Sequence, residues 1–310
     1  MTKKLFYVLL ALTPLLTQMK CMNEQGEPTP PLPASNTTVK ADSDTAKMHV
    51  QDTSAKQDTT NREASADTAI QKPVEIKYHL AVMNAARRKK LLADTNRLAV
   101  LLALNRVDEK NLARLKSVIV PDTFVDLKYY SPYPDSLSAV KDVSKIIFFS
   151  YPAEAFAAYD HGALVRWGPI SLGKRKTPTP TGLYHTNWKS PEKRSTVKEE
   201  WIMKWYYNLD DKMGVSMHQY NMPGYPASHA CVRLTEQDAM WFYDWAEPNK
   251  VEHKKTIAKG TPVIIFGQYE FGAHKPWMAL AKDNKATDIS EEELNKEVDQ
   301  LLHPAVAHKK

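Results

Sequence analysis

The uneven distribution of aromatic residues limits where this chain can build a hydrophobic core. All seven tryptophans lie in the second half of the sequence, and the stretch from Asn23 to Lys77 contains no Phe, Tyr or Trp. Large aromatic side chains supply much of the apolar area that a core buries. With 310 residues and 43% hydrophobic residues, the chain is long enough for one full domain and smaller parts. The main domain is therefore expected after residue 140.

The N-terminal segment has the composition of an export signal. Lys3 and Lys4 precede a mostly apolar stretch from Leu5 to Leu16, which is too short to span a bilayer comfortably. We predict a signal peptide at residues 1–21 and export to the periplasm or cell envelope. A lipid on Cys21 or a retained hydrophobic segment would attach the chain to a membrane, whereas an ordinary signal peptide would be removed. Small residues usually precede a lipidated cysteine, and here Lys20 does.

Net charge argues against one class of partner. The chain carries a formal charge of +6, but its Lys and Arg residues occur in scattered pairs. A nucleic-acid-binding surface usually shows a basic stripe interleaved with aromatic residues, and none is present. We therefore expect no nucleic-acid partner. The sequence does not indicate an oligomeric state.

Two segments precede the main domain. Residues 22–76 are rich in Ser, Thr, Asp, Ala, Lys and Pro, a composition that cannot bury enough apolar surface to offset its ordering entropy, so we predict a disordered linker. Residues 77–140 are predicted as a small helical pre-domain. Its predicted elements are a helix over Val82–Asn105, a short helix over Asp108–Lys116 and a strand, SVIVPD, that ends at Pro121.

The pre-domain allows two interpretations. The run Leu104–Val107, a short helix and then Ile119–Pro121 weakly resembles part of a lysin motif, a small module that binds glycan strands. The alternative is a helical pre-domain that packs on the main domain.

Residues 141–270 show the period of β-structure. SKIIFFSY, EAFAAYD and ALVRWGPIS predict an antiparallel meander with a turn at His161–Gly162, and LYHTNW, WIMKWYYNL, GVSMHQY and TPVIIF predict further strands. One helix is predicted from Thr235 to Glu247, because Thr235 and Asp238 resemble a capping box. Residues 271–310 are predicted to hold an amphipathic helix capped by Ser290, followed by a tail. The fold class is therefore mainly β.

A lone cysteine lies among residues suited to catalysis. The chain has two cysteines, Cys21 and Cys231, so an exported form would carry Cys231 either as an inert buried side chain or as a working thiol. His229 and Arg233 lie two residues to either side of Cys231, and residues two apart on an extended segment share a face. His218 ends the preceding strand and is a second candidate base.

Each of these residues also has an ordinary structural interpretation. His229 and His218 could be a hydrogen-bonded structural histidine and an exposed loop residue, and Cys231 could be a small buried hydrophobe. Arg233 could form a salt bridge with Asp238 or Glu236 at the start of the following helix.

The wider pattern resembles one family. SHACVRL is similar to the Ser-His-Gly-Cys-hydrophobic-Arg signature of YkuD-type L,D-transpeptidases, which are exported enzymes that remodel peptidoglycan. SLGKRKTPTPTGLY, GVSMH and TPVIIF resemble other family segments and occur in the family's order over residues 145–268. The resemblance implies an L,D-transpeptidase-like β-sandwich with one or two short helices.

The resemblance also implies a role for each site residue. Cys231 would be the nucleophile, His218 the general base, and His229 would orient the thiol or stabilise the oxyanion. The implied substrate-binding residues are Arg233, Ser228, Ala230 and Tyr225. Backbone N–H groups of Ala230 and Cys231 are candidate oxyanion donors.

Two departures from the family pattern concern the same region. Ala230 replaces the signature's glycine, which has a cost if the position needs a positive φ. The loop at residues 219–227 is shorter than in many relatives and is stiffened by its prolines.

The implied reaction is acyl transfer on peptidoglycan stem peptides. Cys231 would form a thioester with a tetrapeptide stem and release D-alanine, and an amine would then accept the acyl group. No cofactor or metal is expected, because the histidines outside the motif are scattered. With water as acceptor the same site would be an L,D-carboxypeptidase or endopeptidase. A non-catalytic wall-binding lipoprotein is the alternative from another class.

Overall fold

The described chain begins with a small module in which two antiparallel strands flank three helices in the sequence. The computed structural model describes residues 75–196 and 198–303, which belong to one compact unit. The module comprises β1 (Tyr78–Val82), α1 (Ala85–Ala93), α2 (Thr95–Asn105), α3 (Glu109–Leu112) and β2 (Ser117–Pro121). β1 pairs antiparallel with β2, placing Leu80 opposite Ile119. The strand predicted to end at Pro121 is confirmed, whereas β1 was not predicted.

The long helix predicted over Val82–Asn105 is two helices. Asp94 has an extended backbone, and its side chain accepts the N–H of Arg97, so Asp94 ends α1 and caps α2. Asp108 caps α3 in the same way, through the N–H of Asn111. The helical character of the segment was therefore predicted correctly, but not its break. The lysin-motif interpretation stays a prediction.

A nine-stranded mixed sheet follows the module. Its strands and the neighbouring elements, in chain order, are β3 (Lys145–Ser150), β4 (Ala155–Asp160), β5 (Ala163–Ser171), β6 (Gly182–His185), β7 (Lys189–Arg194), β8 (Ile202–Asp210), β9 (Val215–Gln219), β10 (Val232–Leu234), α4 (Glu236–Trp245), β11 (Lys250–Glu252), β12 (Lys255–Ala258), β13 (Pro262–Phe266) and α5 (Glu291–Leu301). The sheet order is β6-β13-β3-β4-β5-β10-β9-β8-β7, and β11 and β12 form a separate hairpin. The mainly β fold class is confirmed.

The sheet combines the predicted meander with two parallel pairs. β3, β4 and β5 are consecutive and antiparallel, and the turn between β4 and β5 has positive φ at both His161 and Gly162, as a type I′ turn requires. β13 runs parallel to β3, and β10 runs parallel to β9. The sheet curls so that β6, at one edge, approaches β8 near the other edge. The two layers expected of a β-sandwich are therefore formed by a single sheet that curls back on itself.

Both faces of the central strands are buried. On the inner face, Phe149 and Phe156 contact Phe242 of α4. On the outer face, Phe148 belongs to a second cluster that includes Leu294 and other apolar residues of α5. The predicted caps are confirmed, because Thr235 accepts the N–H of Asp238 before α4 and Ser290 accepts that of Glu293 before α5.

The module packs directly on the part of the chain that holds the sheet. Arg106, at the end of α2, is only 1% exposed and lies between Trp167 and Trp277, 5.7 and 5.6 Å from the ring centroids. Its Nε donates to the carbonyl of Ala153 at 2.7 Å. The rings and this carbonyl belong to β5 and to the segments after β3 and β13, so one side chain joins the module to three parts of the fold.

Several N-terminal predictions fall outside the described residues. These are the signal peptide at 1–21 and nearly all of the linker at 22–76, and the last residues, 304–310, are also outside. Among the residues that the structure describes, no helix is long and apolar enough to cross a bilayer.

Candidate active site

The register between β9 and β10 brings the candidate residues onto one face. Val232 lies opposite Met217, and Arg233 lies opposite His218. Val232 and Met217 both point into the core of the curled sheet. Because neighbouring residues on a strand point to opposite faces, Cys231, Arg233 and His218 share the other face with Ser216. The predicted common face of Cys231, His218 and Arg233 agrees with this register. The extended segment predicted to align His229 with Cys231 is wrong, because residues 229–231 form a bend with φ +70° at Ala230.

The thiol of Cys231 lies against a serine that the sequence analysis did not single out. Ser216 Oγ donates to Cys231 Sγ at 3.1 Å, and the Gly214 carbonyl oxygen lies 3.7 Å from the same sulfur. Burial raises the pKa of the Cys231 thiol, while the hydrogen bonds from Ser216 and the charge of Arg233 oppose that rise. The resting group is therefore a thiol at neutral pH, and it needs a base to become a nucleophile.

His218 has the properties of that base. Its ring is 4% exposed, and Nδ1 lies 2.9 Å from the Gln219 carbonyl oxygen. A carbonyl oxygen only accepts, so Nδ1 carries the proton and Nε2 presents a lone pair. Burial lowers the pKa of His218 to about 4, with the Gln219 hydrogen bond opposing and the Arg233 charge reinforcing the change. His218 is therefore neutral at pH 7 and can accept a proton.

Two tyrosines fix the ring of His218. Tyr206 stacks on it with ring centroids 6.4 Å apart, and Tyr220 meets it edge to face at 5.9 Å. The Tyr206 hydroxyl also hydrogen-bonds the side chain of Ser216, so the base and the serine beside the thiol are held by one residue.

His229 lies at the same site with a different set of contacts. Lys174 Nζ donates to His229 Nε2 at 2.9 Å, and the ring centroid of Trp201 lies 5.0 Å away. Because Nε2 accepts, Nδ1 carries the proton, and this buried N–H has no partner among the described residues. Burial, followed by the charge of Lys174, lowers the pKa of His229. His229 is thus a neutral hydrogen-bond donor, and its predicted roles toward thiol and oxyanion stay predictions.

Arg233 is available to a ligand. Its Nη1 donates to the Asn221 carbonyl at 3.3 Å, and its guanidinium lies 4.7 Å from the Tyr220 ring centroid. Asp238, one of the two acids considered as its partner, instead pairs with Arg166 at 2.8 Å. Within residues 75–196 and 198–303, Arg233 forms no ion pair, so the salt-bridge interpretation is wrong.

The segment before Cys231 is a braced turn. Ala230 has φ +70°, so the alanine that replaces glycine occupies the left-handed region at a cost of roughly 1–2 kcal/mol. Its N–H donates to the Thr177 carbonyl at 3.2 Å, which conflicts with its predicted use as an oxyanion donor. The Ser228 hydroxyl is 2% exposed and donates to the Cys231 carbonyl. Ser228 and Ala230 therefore shape the turn, and their contact with substrate stays a prediction.

Tyr225 lies on the loop at residues 219–227, which borders the site. The residue is 49% exposed, and Lys275 Nζ lies 5.7 Å from its ring centroid. Its backbone carbonyl accepts from Ser171 Oγ at 2.8 Å, so the loop is tied to β5 while the ring faces solvent. An exposed ring on an anchored backbone is suited to contact a bound peptide.

The position of Ser216 in the site was predictable from residue spacing alone. In GVSMH, Ser216 precedes His218 by two residues and so shares its face on a strand. Tyr206 and Lys174 carry no such signal, because they reach the site from other elements. Among the described residues, no group of three or more His, Cys, Asp or Glu side chains is placed to hold a metal ion.

A family comparison assigns the part of the chain that carries this site. Residues 144–265 match the model of YkuD, the L,D-transpeptidase catalytic domain. These residues belong to the YkuD family. We call residues 144–265 the YkuD segment. It contains the whole face built by Cys231, His218, Arg233 and Ser216, whereas the N-terminal module and α5 lie outside it.

The relatives of the YkuD segment cover only part of the chain. L,D-transpeptidase 1 of Mycobacterium tuberculosis is 26% identical over 136 residues, which is 38% of this chain and 49% of that protein. The chain thus spans about half the length of the curated relatives it matches. Among solved structures, L,D-transpeptidase (Yku) from Stackebrandtia nassauensis has 15% identity, a TM-score of 0.36 and coverage of 59% of this chain and 76% of its own. The M. tuberculosis L,D-transpeptidase 1 structure has 24% identity, a TM-score of 0.31 and coverage of 40% and 62%.

Proposed function

We propose that this chain is a cysteine-dependent L,D-transpeptidase acting on peptidoglycan. Cys231 would form a thioester with a tetrapeptide stem, release D-alanine and transfer the acyl group to an amine. The observation that carries the proposal is one face of β9 and β10. A thiol, a neutral imidazole whose Nε2 presents a lone pair, and a guanidinium without an ion pair among the described residues lie together there. Nucleophile, base and anion-binding group are the parts that acyl transfer from a peptide requires.

In the first step His218 and Cys231 act together. His218 Nε2 takes the thiol proton, and the sulfur attacks the carbonyl carbon between the third stem residue and the terminal D-alanine. The tetrahedral intermediate collapses by breaking that C–N bond, and the protonated His218 returns its proton to the leaving amine. The products are D-alanine and an acyl group bound to Cys231 as a thioester.

In the second step the acceptor replaces D-alanine at the same position. An amine attacks the thioester carbonyl, loses a proton to His218 and expels the sulfur as a thiolate, which recovers that proton. Because burial lowers the pKa of His218 to about 4, the ring is neutral before each step and its Nε2 is not already protonated.

Arg233 is suited to hold the substrate's carboxylate. A guanidinium that binds a carboxylate forms strong, directional hydrogen bonds, and the stem ends in the carboxylate of D-alanine. Because Arg233 donates only to the Asn221 carbonyl among the described residues, donors remain for that group.

Mass spectrometry of products and of the intact protein tests the proposal. The full chain is incubated with a disaccharide-tetrapeptide muropeptide, beside Cys231→Ala as a matched control. We expect loss of D-alanine, a cross-linked dimer and an acyl adduct that maps to Cys231, all absent from the variant. Cys231→Ala should fold with nearly unchanged stability, since it removes only a sulfur at a half-buried position.

Other outcomes discriminate the alternatives. Tripeptide without dimer would identify water as the acceptor and make the protein an L,D-carboxypeptidase. Failure to form either product or adduct would contradict the proposal and favour a non-catalytic wall-binding role.

We also propose that the chain acts outside the cytoplasm, in the periplasm or cell envelope. The support is the pair of lysines followed by the apolar stretch at Leu5–Leu16. Attachment to a membrane through Cys21 is part of this proposal, and mass spectrometry of the N-terminal peptide from cells would test it.

A further inference from the structure

The N-terminal module holds the loop that borders the active site. We call residues 219–227 the wall loop. Met222 of this loop is fully buried, and its N–H donates to Asp108 Oδ2 at 2.8 Å. Its carbonyl accepts the backbone N–H of Asp108 at 3.1 Å. Asp108 is therefore bonded to both backbone groups of one wall-loop residue.

Other contacts strengthen this junction. Asn111 Nδ2 donates to the Met222 carbonyl at 3.0 Å, and Val107 forms an antiparallel bridge with Pro223. Gly224 has φ +75°, and a Cβ there would lie 2.9 Å from Val107 Cγ1. The wall loop thus lies against the module so closely that it has room for glycine alone at this position.

The junction continues to the substrate-binding arginine. Asn221 directly precedes Met222, and its carbonyl accepts the hydrogen bond from Arg233 Nη1 at 3.3 Å. Tyr220 of the same loop lies under the guanidinium. A displacement of Met222 would move both partners of Arg233, while Cys231 and Ser216 are held by the strands instead.

We propose that Asp108 is a positioning residue for Arg233: by holding Met222 it sets the guanidinium where it binds a carboxylate close to Cys231. The module is then a part of the substrate site, although it lies outside the YkuD segment. That the carboxylate belongs to a stem peptide rests on the proposed function, whereas the positioning itself does not.

Asp108→Asn tests the junction selectively. Asp108 Oδ1 caps α3 by accepting the Asn111 N–H at 2.8 Å, and asparagine keeps that oxygen. The amide nitrogen would replace Oδ2, so the N–H of Met222 would lose its acceptor. Asp94→Asn is the matched control, because Asp94 caps α2 through Arg97 and, among the described residues, no hydrogen bond or ion pair joins it to the wall loop.

The readout is alkylation of Cys231 in the full chain by iodoacetate and by iodoacetamide, followed by peptide mass spectrometry. Iodoacetate carries a carboxylate, so the ratio of the two rates reports the placement of Arg233, and the thiolate fraction cancels from that ratio. We expect Asp108→Asn to lower the ratio at least about threefold while the iodoacetamide rate stays within about twofold. Asp94→Asn should leave the ratio unchanged, and Arg233→Gln defines its lower limit. Asp108→Asn should also raise KM for the muropeptide more than it lowers kcat.

The outcomes separate this inference from the proposed function. A wild-type ratio in Asp108→Asn overturns the positioning role, even if the enzyme forms product. A lowered ratio in a protein that forms no product supports the positioning role and refutes the proposed function. Equal loss of both alkylation rates would mean general damage and would also overturn the inference. Asn111→Ala removes a second bond to Met222, and we expect the same change in ratio should Asp108→Asn not fold.

Discussion

At the scale of single residues, the state of the thiol depends on Ser216. The hydroxyl of this buried serine donates to Cys231 Sγ and is itself hydrogen-bonded to Tyr206. A donor stabilises a thiolate more than a thiol, so this bond lowers the pKa of Cys231 against the effect of burial. Ser216 should therefore increase the thiolate fraction at neutral pH, in addition to any proton transfer to His218.

Ser216→Ala tests this role through the pH dependence of thiol reactivity. Without the hydroxyl, the pKa of Cys231 should rise further, so its alkylation profile with iodoacetamide should move to higher pH. The rate between pH 7 and 8 should fall about threefold to tenfold, as expected for a shift of half to one pH unit, and the two proteins should converge above both pKa values. Ser150→Ala, which also removes a buried serine hydroxyl, should leave the profile unchanged. An unshifted profile in Ser216→Ala would contradict the role.

The sequence predicted part of the common face, but not all of the partners of its residues. Period-two spacing placed Cys231 and Arg233 together, and residue chemistry assigned His218 as a base. The same spacing does not hold for His229, because residues 229–231 form a bend with φ +70° at Ala230. The salt bridge considered for Arg233 was wrong because Asp238 pairs with Arg166 of β5. The partner of a side chain is often supplied by a neighbouring strand. The alternation of side chains along one strand does not specify which strand lies beside it.

At the scale of elements, the parallel pairing of β9 and β10 is the arrangement on which the site depends. The chain passes from β9 through the wall loop to β10, and the register places Cys231 beside Ser216. The strands β3, β4 and β5 were predictable from apolar runs and a tight turn, but no local pattern specifies a parallel partner. β7 was missed because KSPEKR is charged and contains Pro191, features that suit its position at the edge of the sheet.

The turn that braces Cys231 depends on close packing of two backbone segments. Gly173 lies beside Ser228, and a Cβ at Gly173 would lie 2.3 Å from the Thr179 nitrogen and 2.4 Å from the Thr177 oxygen. The Thr177 oxygen is the acceptor for the Ala230 N–H. An added methyl group would therefore push the threonine turn away from the segment that presents the thiol.

Gly173→Ala should destabilise the protein and alter the thiol together. We expect a loss of about 1–3 kcal/mol in the free energy of unfolding, measured in urea, and a several-fold change in the rate of Cys231 alkylation. Gly182→Ala is the control, because a Cβ there has nothing within 4 Å and only backbone strain results. Gly182→Ala should lower stability without changing alkylation. Equal alkylation in both variants would show that the turn does not position the thiol.

At the scale of the whole molecule, the module and the YkuD segment share one core. Val100 and Leu104 of α2 belong to the same apolar cluster as Trp167 of β5 and Trp277. Burial lowers the pKa of Arg106 to about 10, so its guanidinium stays charged at neutral pH between the two rings. The module and the sheet, which sequence composition predicted as separate domains, therefore pack around one shared cluster. The wall loop contacts the module just after the C-terminal end of α2, where Val107 follows Arg106.

Arg106→Met should therefore weaken the whole unit. Methionine fills much of the space but loses the hydrogen bond to Ala153 and the attraction to both rings, so we expect a loss of about 3 kcal/mol. Urea unfolding followed by circular dichroism and by tryptophan fluorescence should give coincident transitions in the wild type, because the tryptophans lie outside the module but share its core. In the variant, the transition followed by tryptophan fluorescence should separate from the transition followed by circular dichroism.

Arg97→Met is the control, because Arg97 is an exposed arginine of the same module that lies over the Phe124 ring. It should cost under about 1 kcal/mol and keep the two transitions coincident. If the two variants lose the same free energy of unfolding, Arg106 does not couple the module to the sheet. The shared core alone would then account for the cooperative unfolding of the module and the sheet.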